Sequence, residues 1–134
     1  MSLCVHTFLL SADGSSSVIG EILDRPEGVS DSAGPESWRT KVWGSQGMRS
    51  LDAKFFPVLA DLSQPNGALI VMPDELPELF RECREVREFL SELIPADLDA
   101  AAAARLRSGI LERLANVEIA AGRALGVGGG VLIW

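Results

Sequence analysis

Side chains from Leu3 to Leu10 fall into two alternating sets, Leu3, Val5, Thr7 and Leu9 against Cys4, His6, Phe8 and Leu10. Both sets are largely apolar, which predicts a strand inside a sheet rather than at its rim. The turn-rich stretch Ser11-Ala12-Asp13-Gly14-Ser15-Ser16-Ser17 follows, and then Val18, Ile19, Ile22 and Leu23 recur at helical spacing. This predicts a short helix with a serine N-cap, stopped by Pro26. Asp24 to Ser37 holds two prolines, two glycines and three serines and reads as a long contact loop or lid.

Trp38 to Trp43 reads as a second strand. Residues 48–56 fit two periods: Arg49, Leu51, Ala53 and Phe55 alternate as a return strand, whereas Met48, Leu51, Phe55, Leu59 and Leu62 share a helical face. The hairpin is preferred, with a short helix starting at Pro57, where proline is tolerated in the first turn. After a turn at Pro65-Asn66-Gly67, Ala68 to Met72 is a continuous apolar run and predicts a buried strand. Leu76, Leu79, Phe80, Cys83, Val86, Leu90, Leu93 and Ile94 form one helical stripe, capped by Asp74 and ended by Pro95. Glu78, Arg81, Glu82, Arg84, Glu85, Arg87 and Glu88 are expected on its wet face. A last helix runs from an Asp97 cap through Leu106, Ile110, Leu114, Val117, Ala121 and Leu125 to a Gly126 C-cap. At about 28 residues, ~42 Å, it either bends near Gly109 or projects toward a partner. Val127 to Gly130 reads as a flexible glycine-rich connector, and Val131 to Trp134 as a terminal strand.

The predicted order is β-α-β-β-α-β-α-α-β. This is a single α+β domain over residues 1–134, with about five strands in a mixed sheet covered by two long helices from the C-terminal half. The length suits one domain. No apolar run approaches the ~20 residues of a membrane span. The apolar start has no basic residue before it, so no secretory signal is expected and the protein is read as cytoplasmic. Ten arginines against two lysines, with fifteen alanines, suggest a GC-rich bacterial genome.

Charge narrows the function classes. The net charge of −7 argues against phosphate-neutralising contact with nucleic acid or an anionic membrane. The acidity concentrates in residues 74–97, where eight acids face three arginines, and would attract a basic protein partner. Cys4 and Cys83 form no Cys-x-x-Cys pattern and are expected to be reduced core residues.

His6 is the one histidine, so every histidine-dependent catalytic or metal scheme must pass through it. Cys4 shares its strand face, but further ligands are not apparent, and His6 is expected to be structural. No catalytic residue, metal or cofactor is assigned. The serine-rich turn lacks the glycine pattern and lysine of a phosphate loop. The glycines near residue 128 follow a helix and precede a strand, the reverse of the dinucleotide-binding order.

The candidate binding residues are Arg39, Lys41 and Trp43, which the strand alternation puts on one face beside the 24–37 loop. The expected function is a non-enzymatic binding or regulatory domain acting through protein–protein contacts, of the kind an inhibitor or immunity protein provides, and forming a homodimer. The apolar terminal strand, which must pair either internally or with a partner, and the overlong last helix motivate the dimer. The alternative is a binder of a small anionic ligand, or a small enzyme, with a pocket among His6, Trp43 and the 24–37 loop.

Overall fold

A computed structural model describes residues 2–11, 19–61 and 68–134. The fold is α+β, with a five-stranded sheet and its main helices in the C-terminal half. The strands are β1 (Ser2–Leu10), β2 (Ile19–Ile22), β3 (Ser32–Pro35), β4 (Leu69–Val71) and β5 (Gly130–Ile133). The helices are α1 (Gln46–Ser50), α2 (Leu76–Glu88) and α3 (Ala100–Val127).

β1 organises the sheet. Along one edge it pairs with β5, Val5 opposite Ile133 and Phe8 opposite Gly130. Along the other edge it pairs with two strands in succession, β2 near Phe8 and β3 near Leu3. β4 completes the order β2-β1-β5-β4. Every pairing is antiparallel, so the expected mixed sheet is corrected. The terminal strand lies between β1 and β4, paired on both sides within the chain. It therefore offers no open edge to a second copy.

Leu3, Val5, Val131 and Ile133 point to the inner face, where they join the core with Leu79, Cys83, Val86, Ile110, Leu114 and Val117 of α2 and α3. Buried polar groups fasten the layers. Thr7 Oγ1 donates to the Ala120 carbonyl at 2.8 Å, and Asn116 Nδ2 donates to the Ser32 carbonyl at 2.8 Å. At the surface, Arg87 of α2 donates from Nε to Glu118 of α3 at 3.1 Å.

Both long helices follow their apolar stripes. α2 ends at Glu88, earlier than expected, and a 3-10 turn over Leu90–Leu93 carries the stripe onward. The α3 cap is Asp99, not Asp97: its carboxylate accepts from Ala102 N at 2.7 Å. Its C-terminal residue in the left-handed region is Gly128, not Gly126. Among the first ten residues of α3 no side chain is fully buried, and Leu106 packs half-buried against the core.

Three expected elements are replaced. Residues 19–22 form a strand rather than a helix, because β1 needs partners along that edge and Leu23 N donates to the Thr7 carbonyl at 2.9 Å. Trp38 to Trp43 is not a strand; Arg39–Trp43 forms a π-helical turn that buries Val42 and Trp43. The return strand over 48–56 is also absent. Ser45 caps α1 by accepting from Met48 N, and the N–H groups of Lys54, Phe55 and Phe56 bond to the Glu82 carboxylate instead of a strand ladder. The short helix at Pro57 is present as a 3-10 turn over Phe56–Ala60. The serine cap among Ser15, Ser16 and Ser17 and the Pro65-Asn66-Gly67 turn lie outside the described residues.

Candidate functional site

Cys4, His6 and Phe8 alternate along β1 with the inward-facing Leu3, Val5 and Thr7. Cys4 lies opposite Trp134, exchanging backbone bonds of 2.8 and 3.1 Å, and His6 lies opposite Leu132. Leu132 in turn lies opposite Ile70, and Phe8 opposite Ile22. These positions make one outer face, with Phe8 and Leu132 buried at its centre and absent from the inner core. Around them Ile22, Ile70 and Trp134 stay 39%, 40% and 46% exposed.

Between β2 and β3 the chain leaves β1, loops out over residues 23–31, and returns. The return is fixed by Val5 N donating to the Asp31 carbonyl at 2.7 Å. That bond brings the Asp31 side chain to the two outward-facing residues of β1. One donor atom each from Cys4, His6 and Asp31 lie within 4.8 Å of one another. All three residues are half-buried. The Trp134 ring meets the His6 imidazole edge-on, with centroids 6.3 Å apart and planes at 87°. The cluster opens onto a depression lined by His6, Ile22, Leu23, Asp24, Arg25 and Asp31. On the other side of the loop, a narrow cleft against α3 places Arg25 and Arg123 near Asn116 and Ile119.

Electrostatics bear on what this cluster can do. Burial, and then the neighbouring Asp31 charge, push the Cys4 thiol above its ordinary value, while a hydrogen bond with Ser2 partly offsets them. A nucleophilic cysteine requires the opposite shift, toward thiolate. Cys4 was expected in the core; it lies on the outer face, and only Cys83 sits among the core residues.

The expected binding residues Arg39, Lys41 and Trp43 are not brought together on a strand face. Trp43 is buried, donates from Nε1 to the Ala33 carbonyl at 2.8 Å, and stacks on Phe56 with centroids 4.6 Å apart. Arg39 pairs with Glu36 and donates to the Leu59 carbonyl at 3.2 Å. Lys41 is exposed. Trp43 is also absent from the cleft that His6 lines, so the expected pocket keeps His6 and the loop but loses the indole.

The residue missed from sequence is Asp31. It sits 25 positions beyond His6 in a loop, and no local spacing signals their meeting. Cys4 and His6 were visible as a pair on one strand face. Comparison with protein-family models, curated proteins and solved structures finds no match to this chain.

Proposed function

We propose that the protein is a non-enzymatic binding domain of the bacterial cytoplasm, acting through protein–protein contacts, and that the outer sheet face pairs two copies as a homodimer. The observation that carries this reading is the exposure of Ile22, Ile70 and Trp134 on the outer face, around the buried Phe8 and Leu132. Large exposed apolar patches mark contact surfaces. A second copy suits this one because the surrounding protein is strongly acidic while the face is mostly apolar, so a two-fold contact need not oppose acidic surfaces. No helix among the described residues is long and apolar enough to cross a membrane.

Sedimentation equilibrium at micromolar concentrations tests it. The expected mass is twice 14.3 kDa. The paired substitutions Ile70→Lys and Trp134→Glu should yield a folded monomer. A wild-type protein that remains monomeric throughout overturns the dimer. The cleft bearing Arg25 and Arg123 supports a second reading, a small anionic ligand held between the loop and α3. Thermal stabilisation by simple carboxylates or phosphates, lost in Arg123→Ala, would favour it instead.

A further inference from the structure

We propose that Cys4, His6 and Asp31 bind one divalent transition-metal ion, with zinc the best match to the donor set. A thiolate, an imidazole and a carboxylate are zinc ligands, whereas magnesium and calcium favour oxygen-only sets. This inference does not rest on the dimer reading, although Trp134 and Ile22 border both surfaces.

Placement carries the argument. Cys4 and His6 are two apart on one strand, so their side chains leave the same face. Asp31 arrives from a distant segment, and its backbone is tied to Val5 between them. Backbone bonding to Trp134 and Leu132 fixes β1 from its other side. The present spread of donor atoms, within 4.8 Å, approaches the roughly 3.3–3.8 Å between neighbouring ligands in a tetrahedral zinc site. Side-chain rotations can close that difference while the three backbones stay where they are.

The surroundings resemble support for a ligand set. Ser2 hydrogen-bonds with the Cys4 thiol, and the Trp134 edge packs on the imidazole. Such outer contacts orient ligands. The depression beyond the cluster leaves a fourth coordination position for water. On binding, the Cys4 thiol proton passes to solvent, and thiolate plus carboxylate balance the ion's two positive charges.

The test uses the full chain, stripped with chelator and dialysed, with zinc and cobalt ions as probes. Calorimetry should find one zinc ion per chain. Cobalt should produce the intense visible bands of a four-coordinate site and a near-ultraviolet thiolate-to-cobalt band. Cys4→Ser should abolish the latter, and Asp31→Asn should weaken zinc binding by more than about tenfold. Asp97→Asn should leave binding unchanged. Should Cys4→Ser fail to fold, alkylation of wild-type Cys4 gives the answer without a substitution: saturating zinc should slow it severalfold. Failure of folded wild-type protein to take up stoichiometric zinc overturns the proposal. So does a thiolate band surviving in Cys4→Ser, or a Cys4 alkylation rate indifferent to zinc. A monomer that binds one ion would overturn the dimer and leave this site standing.

Discussion

Three consecutive backbone N–H groups, those of Lys54, Phe55 and Phe56, converge on the buried carboxylate of Glu82 at 2.6 to 3.1 Å. Glu82→Ala would leave these donors without their acceptor, and a loss of about 3–5 kcal/mol in urea unfolding is expected. Burial raises the Glu82 carboxyl above its ordinary value, more than the N–H donors lower it. The protonated form is thus favoured on folding. The associated stability is complete below an unfolded value near 4.5 and is lost as pH rises through the higher folded value. Glu82→Gln, which does not titrate, should flatten that part of the stability–pH profile. It should also cost about 1–3 kcal/mol at neutral pH, because an amide has one acceptor oxygen. The two thiols should differ similarly. Burial pushes Cys83 up to about 12, so a disulfide reagent should label only Cys4 in native protein and both thiols after denaturation. Glu82 was read as solvated because charged residues crowd its helix. Yet it stands three residues after Leu79 and four before Val86, on the flank of the apolar stripe, and that spacing was the available signal. Its partners, 26 to 28 positions away, had none.

Elements with a sustained period were legible, and short ones were not. α2 and α3 each offer several turns of consistent apolar spacing, so their existence and buried faces follow from pattern. Trp38 to Trp43 offers six residues, too few to separate an alternating strand from Trp38, Val42 and Trp43 sharing one helical side. At the end of α3 composition misled in another way. The glycine run resembles a flexible linker, but Gly128 adopts a φ of 69°, and a Cβ at Gly129 would stand 2.0 Å from the Phe8 carbonyl oxygen. Gly129→Ala is therefore expected to cost ~3 kcal/mol or more, since backbone must move to admit it. Asp99→Ala, at the opposite end of the same helix, should cost only about 1 kcal/mol, the ordinary value of an N-cap. Thermal melts of the two variants check the contrast. For the candidate site, the pattern revealed the Cys4–His6 pair and the nearby loop. Asp31 reaches them only through sheet pairing, which no local period encodes.

At the scale of the whole molecule, the two ends of the described chain meet in one sheet, with β5 inserted between β1 and β4. That arrangement has a consequence for the order in which a ribosome delivers the parts. β1 is made before the other strands of the sheet, and the strand that fills its β5 edge is made more than a hundred residues later. Until Gly130 to Ile133 emerge, β1 and β4 each lack their native neighbour there, and unfilled strand edges invite intermolecular pairing. α2 and α3 can coil beforehand from local contacts, but the sheet they cover closes only once β5 has been made. Nascent chains stalled before Gly130 should therefore stay protease-sensitive and associate with chaperones. Chains stalled far enough beyond Trp134 for β5 to leave the exit tunnel should become resistant in a single step.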